Sequence, residues 1–230
     1  MKRTLLYTML ACLGLASAGL AQAEITGNVV KVGVLSDMSG PYADLSGPGS
    51  VVAAKMAVED YIKAAGSKLK VEIVSADHQN KPDVGASVVR KWIDSENVDM
   101  ILDVPTSSVA LAVNEIVKDK NKIMLNSTGG TSDLTGKACT PNTVHWTYDT
   151  WMLAHGTGSA VVKSGGDSWF FLTADYAFGH ALERDTAAVV KASGGKVLGD
   201  VKVPLNTQDF SSFLLQAQSS KAKIIGLANA

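Results

Sequence analysis

Two hydroxyl-rich segments contain the side chains of this sequence that are best suited to hold a ligand. The first is Thr106-Ser107-Ser108, which follows an apolar run, and the second is Ser127-Thr128-Gly129. Hydroxyl groups and the free N–H groups at the start of a helix form a neutral cradle for a carboxylate. Glycine lets backbone amides approach a ligand closely. Neither segment contains Lys or Arg, so these residues predict an anion site that depends on dipoles.

The same residue types also have a purely structural interpretation. Ser and Thr at a strand-to-helix turn commonly cap the helix. Two such segments at neighbouring strand ends strengthen the case for anion binding, but the residues alone leave both interpretations open. Tyr42 and Tyr176 lie in other loops that we expect to converge on the same region. Each could form an aromatic wall, offer a hydroxyl group or simply pack.

Signals for catalysis are weak. The chain has no Gly-x-Ser-x-Gly elbow, no Walker-type phosphate loop and no Gly-x-Gly-x-x-Gly after its first strand. Its four histidines have no second His or Cys at a metal-ligand spacing. A hydrolase could use His145 with Asp149, or His78 with Asp77, but neither pair has a nucleophile beside it. We therefore expect a protein that is not an enzyme and that uses neither a cofactor nor a metal.

Strands and helices in regular alternation must position these segments. Short apolar runs alternate with longer stretches whose apolar residues recur at helical spacing, as over residues 177–192. This pattern predicts an α/β fold with parallel sheets covered on both faces. Ligands of such folds bind beyond the carboxyl ends of the strands, where both hydroxyl segments lie. The predicted strands are residues 29–35, 70–76, 100–104, 123–125, 169–173, 196–203 and 223–228.

The alternation divides the chain into two parts. It is interrupted by residues 127–142, which are dense in Gly, Ser and Thr, and it resumes near Ser168. We predict one lobe over residues 24–146 and a second over residues 147–230. The last apolar run, residues 224–227, is followed by only three residues, so we expect the second lobe to be incomplete and the native protein to continue.

The first 23 residues are typical of a cleaved export signal. Lys2 and Arg3 precede a mostly apolar run over residues 5–20, and Ala21-Gln22-Ala23 matches the small-x-small cleavage pattern. The run is short for a membrane anchor, and Cys12 fits a lipidation site poorly. Removal of this segment leaves Cys139 alone, which excludes a disulfide among the remaining residues of this sequence. We expect its thiol to be buried.

Charge excludes one class of partner. The 230 residues include 21 Lys and Arg against 22 Asp and Glu, and 46% of them are hydrophobic. The predicted leader contains two of the basic residues, so the remaining chain has a net charge of −3. Duplex nucleic acid requires a basic surface, and we expect no binding to it.

Four motifs, in order, resemble those of the substrate-binding proteins of bacterial branched-chain amino acid ABC transporters. They are residues 32–43 (VGVLSDMSGPYA), 103–108 (DVPTSS), 126–135 (NSTGGTSDLT) and 175–179 (DYAFG). The resemblance implies two Rossmann-like lobes that close on a ligand, in the type I arrangement. It also implies a periplasmic location, a membrane permease as partner and, at full length, a monomer. Family members are usually far longer than 230 residues, which agrees with an incomplete second lobe.

The resemblance also implies roles for the two hydroxyl segments. The first lobe would hold the ligand carboxylate through Thr106, Ser107, Ser108, Ser127, Thr128 and Gly129. Tyr176 would cover the ligand from the second lobe. An acidic residue beyond Ala230 would meet the ammonium group of an amino acid. Relatives whose sequences resemble residues 104–108 and 145–149 bind amino acids or aromatic carboxylates, so the ligand class stays open. A sensory module of the same fold, without transport, is the alternative function.

Overall fold

The computed structural model describes residues 29–229, and it has the predicted α/β architecture. The predicted leader, residues 1–23, lies outside the described residues. The elements in chain order are β1 (Val29–Ser36), α1 (Gly47–Ala65), β2 (Lys70–Asp77), α2 (Pro82–Ser95), β3 (Met100–Asp103), α3 (Ser107–Asp119), β4 (Ile123–Asn126), a 3₁₀ turn (Ser132–Leu134), β5 (Thr143–His145), α4 (Thr150–Lys163), β6 (Ser168–Ala174), α5 (Ala177–Ala192), β7 (Lys196–Val203), α6 (Ser211–Ser219) and β8 (Ile224–Ala228).

The strands form two separate parallel sheets. The first has the order β2-β1-β3-β4-β5, and the second has the order β7-β6-β8. In the first sheet Leu35 pairs with Asp103, and Asp103 pairs with Asn126. The carboxyl ends of β1, β3 and β4 therefore lie side by side, and the loops that follow them meet at one edge of the sheet.

Apolar strands and helix faces give the first sheet its core. In α2 the residues Gly85, Val89 and Trp92 recur at helical spacing, and all three are buried. Val89 and Trp92 pack with Ile101 and Val113 in one continuous cluster. Gly33 allows this packing, because a Cβ there would lie 2.6 Å from the Trp92 ring. The burial of helices against nearly continuous apolar strands fixes the position of the strand ends.

The second sheet is covered on both faces. Trp169 and Phe171 pack with Val190 of α5 on one side, while Phe170 and Leu172 pack with α6 on the other. Successive side chains of β6 point to opposite faces, so each face receives alternate residues. The strand β6 is therefore central, and its carboxyl end leads directly into Tyr176.

Several sequence expectations need correction or extension. The free thiol of Cys139 is exposed rather than buried, because the residue follows a surface turn instead of packing against a helix. Two elements, β5 and α6, were not predicted from the pattern. The helix over residues 177–192 is confirmed as α5. None of the helices between residues 29 and 229 is long and apolar enough to cross a bilayer.

Candidate functional site

Three buried polar residues end the central strands of the first sheet. Ser36 ends β1, Asp103 ends β3 and Asn126 ends β4, and none of them has any exposed surface. Buried polar groups are costly unless they are hydrogen-bonded. Polar residues at three adjacent strand ends therefore indicate an organised site.

Asp103 is the centre of this arrangement. Its Oδ2 accepts a hydrogen bond of 2.7 Å from Ser36 Oγ, and its Oδ1 accepts one of 3.0 Å from Ser127 Oγ. The hydroxyl of Thr128 also donates to Oδ1. Three hydroxyl donors satisfy a carboxylate that water does not reach. The loop after β4 is thereby fastened to the end of β3.

The backbone is strained at the same point. Asp103 has φ of 83° and Val104 has φ of 60°, although neither is glycine. A β-branched residue in the left-handed region costs on the order of 1–3 kcal/mol. Two hydrogen bonds hold Val104 in this conformation. Its N–H donates to the Leu35 carbonyl, and the side-chain amide of Asn126 donates to the Val104 carbonyl. Strain at this turn sets the direction in which the chain enters α3.

The first hydroxyl segment lies at the start of α3. Thr106 occupies the N-cap position but its side chain makes no cap hydrogen bond; its hydroxyl donates to Asn80 Oδ1 instead. Ser107 Oγ is buried without a partner, and Ser108 is partly buried in the first turn. The N–H groups of Ser107 and Ser108 donate to no described residue. The capping interpretation therefore fails for Thr106, and free donors with the positive end of the helix dipole are left at this position.

The second segment contributes a turn whose backbone approaches the loop before α3 closely at Gly129. A Cβ on Gly129 would lie 2.8 Å from the Val104 carbonyl, so only glycine fits. The backbone N–H groups of Thr128 and Gly129 make no hydrogen bond within residues 29–229. The Gly129 carbonyl is used by the His145 ring, which donates to it through Nε2. Free N–H donors from this turn thus lie next to the loop that leads into α3.

Asp37 and Asn80 were not recognised from the sequence, and they fasten the surrounding loops. Asp37 is buried and accepts from the backbone N–H groups of Gly40 and Tyr42, at 2.8 and 2.9 Å, and from the Asn80 amide at 2.8 Å. Burial by itself would raise the pKa of Asp37, but these hydrogen bonds outweigh it and lower the pKa below the ordinary value. A signal was present, since Asp followed by Gly three residues later is typical of a side-chain-stabilised turn.

Tyr42 and Tyr176 contact each other. The Tyr42 hydroxyl donates to the Tyr176 hydroxyl over 3.0 Å, and the ring centres are 6.5 Å apart. Burial raises the pKa of Tyr176 well above its ordinary value, so this phenol stays neutral. The Tyr176 ring stacks on the Phe178 ring. Phe178 in turn packs closely on Gly130, where an added Cβ would lie 2.8 Å from the Phe178 ring. The two tyrosines therefore bridge the two sheets beside the hydroxyl segments.

Polar contacts between α5 and the 3₁₀ turn form a second bridge between the parts of the chain that contain the two sheets. Arg184 of α5 donates to Asp133 over 2.9 Å and to Ser132 Oγ over 2.9 Å. The neighbouring Asp185 accepts from Ser132 Oγ at 2.7 Å and from Thr150 Oγ1 at 2.6 Å. This network holds α5 against the 3₁₀ turn that follows the second hydroxyl segment.

Neither histidine–carboxylate pair suggested by the sequence is formed. His78 Nδ1 accepts from the Asn80 N–H at 3.0 Å, and His145 donates to Gly129. Asp149 caps α4 through the Met152 N–H. Within the described part of the chain, no group of three or more His, Cys, Asp or Glu residues could hold a metal ion.

The protein was compared with known proteins. A family model described as "Periplasmic binding protein" matches residues 29–230. A "Leu/Ile/Val-binding protein homolog 6" from Brucella abortus (strain 2308) is 28% identical over 218 residues, which are 93% of this chain and 54% of the relative. The chain thus spans about half the length of the curated relatives it matches.

The chain also resembles solved structures. A periplasmic binding protein from Burkholderia mallei is 56% identical with a TM-score of 0.84, and the match covers 88% of this chain and 54% of that one. A solute-binding protein of an ABC transporter from R. palustris, in complex with benzoate, is 25% identical with a TM-score of 0.74. That match covers 86% of this chain and 55% of the other.

Proposed function

Because the chain belongs to the periplasmic binding protein family, we propose that it captures a small carboxylate and delivers it to an ABC permease in the membrane. The proposed location is the periplasm, which the family implies. We further propose that the protein binds its ligand without chemical turnover and acts as a monomer at full length.

The observation that carries this proposal is a set of free backbone donors in two segments that contain no Lys or Arg. Backbone N–H groups at Ser107, Ser108, Thr128 and Gly129 have no acceptor among the described residues, and they come from two neighbouring loops. The dipole of α3 adds positive potential at the same point. Such a site suits a single carboxylate. In this proposal Thr106 shapes the site, since its hydroxyl donates to Asn80, while the hydroxyls of Ser127 and Thr128 both donate to Asp103.

Closure would come from the second sheet. We propose that residues 24–146 and 147–230 act as two lobes, with the ligand between them. The hydrogen bond between Tyr42 and Tyr176 supports this, because it joins loops at the ends of both sheets. A ligand that contacts both loops would favour the closed arrangement, as in other hinged proteins.

The ligand class follows from the relatives and from the character of the site. One relative is described as a Leu/Ile/Val-binding homologue, and one structural neighbour contains benzoate. We propose a hydrophobic amino acid or an aromatic acid as the ligand of this protein. The aromatic pair Tyr42 and Tyr176 and the adjacent Phe178 would contact its apolar part.

Isothermal titration calorimetry of the purified protein tests this proposal. We expect saturable binding of at least one member of a panel of aliphatic amino acids and benzoates. No binding across the whole panel would contradict it. Deletion of the gene separates transport from signalling, because uptake of the identified ligand should then be lost, whereas a purely sensory protein would leave uptake unchanged.

A further inference from the structure

The hydrogen bonds made by the hydroxyl groups of Ser127 and Thr128 restrict which ligand groups can contact them. Both donate their proton to Oδ1 of Asp103. We infer that Asp103 sets the hydrogen-bonding polarity of these two hydroxyls, so that the ligand group lying against them must be a hydrogen-bond donor. The inference rests on the proposed function, because it concerns the ligand of the same site.

The chemistry of a hydroxyl group gives this result. Each hydroxyl has one proton and two lone pairs, and an ionised carboxylate accepts but cannot donate. While Asp103 takes both protons, Ser127 and Thr128 can offer only lone pairs to a ligand. If both hydroxyls turned to donate to the ligand, the buried Oδ1 of Asp103 would lose both of its hydrogen bonds, which is costly.

The burial of the three residues supports the direction. Asp103 is completely buried, whereas Ser127 and Thr128 are partly exposed. The carboxylate therefore lies behind the two hydroxyls, and water does not compete for it. Ser36 donates to its other oxygen and is also completely buried, so Asp103 is fixed from two strands. Asp103 acts through Ser127 and Thr128 and is a positioning residue.

The site then has two poles of opposite hydrogen-bonding character. Free N–H groups accommodate a carboxylate, while the oxygens of Ser127 and Thr128 require a donor. A carboxylate with a second, donor-bearing group satisfies both poles. The α-ammonium of an amino acid and the hydroxyl of a hydroxybenzoate have this character. A 2-oxo acid or a benzoate without a hydroxyl leaves the lone pairs without a partner.

Two matched pairs of probes test the inference by calorimetry. The first pair is L-leucine and 4-methyl-2-oxopentanoate, and the second is 4-hydroxybenzoate and 4-fluorobenzoate. Within each pair the size is similar and only one member has the donor. We expect the donor-bearing member of the pair that binds to have at least a tenfold lower Kd. Equal affinities, or tighter binding of the donor-free member, would overturn the inference while leaving the proposed function intact. Binding of none of the four probes would overturn the inference, and the proposed function fails with it only if no member of the whole panel binds.

Variants separate hydrogen-bond polarity from simple charge attraction. Asp103→Ala removes the acceptor of both hydroxyls, so that Ser127 and Thr128 can donate to the ligand instead. We expect the preference for the donor-bearing probe to fall about tenfold. Asp103→Asn should restore most of it, because the amide oxygen can accept from both hydroxyls. Loss of the preference in Asp103→Asn as complete as in Asp103→Ala would overturn the inference. If thermal unfolding shows that the alanine variant does not fold, Thr128→Val decides: it should reduce the preference severalfold, and an unchanged preference would overturn the inference.

Discussion

The Tyr42 hydroxyl donates to the Tyr176 hydroxyl over 3.0 Å, and this hydrogen bond joins the loop after β1 to the loop after β6. The first loop is held by Asp37, which accepts the Tyr42 N–H, and the second begins α5. The contact thus connects a fastened loop of one sheet to the residue that precedes a helix packed on the other sheet.

The tyrosine pair gives the first prediction. Tyr176→Phe removes one hydrogen bond with a net value of about 1 kcal/mol, so we expect the ligand Kd to rise about fivefold. The physical reason is that the closed arrangement loses a contact that the open one does not have. Calorimetry measures the change, and small-angle scattering reports the closure. Tyr61→Phe is the control, because Tyr61 is exposed on α1. A Kd equal to that of the parent protein would remove Tyr176 from the closing mechanism.

The N-terminus of α3 gives the second prediction. Proline is tolerated at the first position of a helix, and the extended backbone of Thr106 suits a following proline. Ser107→Pro removes one free N–H, and we expect ligand binding to weaken by about 1.5–3 kcal/mol, as for a hydrogen bond to a charged group. Ser107→Ala keeps the N–H and is the matched control, with a smaller expected loss. Equal losses in both variants would show that the N–H does not hold the ligand.

Gly129 gives the third prediction. Its Cβ would lie 2.8 Å from the Val104 carbonyl, so Gly129→Ala must displace the second hydroxyl segment. We expect a loss of stability of about 1–3 kcal/mol, as for overpacking, together with weaker ligand binding. Gly156→Ala is the control, because its Cβ meets nothing within 4 Å in the middle of α4. That variant should be more stable by about 0.5–1 kcal/mol, since alanine favours a helix. Chemical denaturation checks both, and an unaffected Gly129→Ala would contradict the packing described here.

His78 gives a pH dependence. Burial lowers the pKa of its imidazole below the ordinary value of 6.5, although Asp37, Asp77 and Asp103 favour the charged form. The unfolded chain therefore binds a proton at His78 more readily than the folded one. Stability should fall as the pH drops below about 6.5 and continue to fall until the folded imidazole also titrates.

The variant His78→Asn tests this assignment. Its side-chain oxygen can still accept the Asn80 N–H, but it has no proton to gain. We expect the free energy of unfolding of the variant to change less between pH 7 and pH 5 than that of the parent protein. Denaturation at several pH values measures it. The same slope in both proteins would assign the acid sensitivity to other groups.

The bridge through Arg184 gives the last prediction. Its guanidinium donates to Asp133 and Ser132 from the opposite sheet, and it is partly exposed. Exposed ion pairs contribute about 0.2–1 kcal/mol, so we expect Arg184→Ala to raise the ligand Kd by a factor of about 1.4 to 5, although Arg184 does not contact the ligand in this account. The effect should shrink at high salt, because screening weakens the pair. Arg90→Ala, on the exposed face of α2, is the control. Identical salt dependence in both variants would contradict a role for this bridge.

Much of the fold could be predicted because hydrophobic patterning dominates it. The strands β1, β2 and β7 are continuous apolar or alternating runs, and α5 has clear helical spacing and a stop at Gly194. β5 was missed because three residues, Thr143 to His145, are too few for a pattern. α6 was missed because the helix is short, Ser and Gln make up much of its sequence, and Ala217 is its one buried residue.

The candidate site could be predicted only in outline. The positions of the hydroxyl segments at strand ends follow from parallel topology. The partners of those hydroxyls do not, because Thr128 and Asp103 are 25 residues apart and Thr106 and Asn80 are 26 apart. Pairing over such distances depends on register and on the strained turn at Val104, which local sequence does not encode. Whether the eight predicted residues bind a ligand stays a prediction.

A crystal structure of the protein with a bound carboxylate, chosen as the tightest binder in the calorimetric panel, tests the central claim most directly. We predict that the carboxylate oxygens lie within about 3 Å of backbone N–H groups at the start of α3 and in the turn at Thr128 and Gly129. A ligand bound elsewhere, or one whose carboxylate is held by a Lys or Arg side chain, would contradict the account.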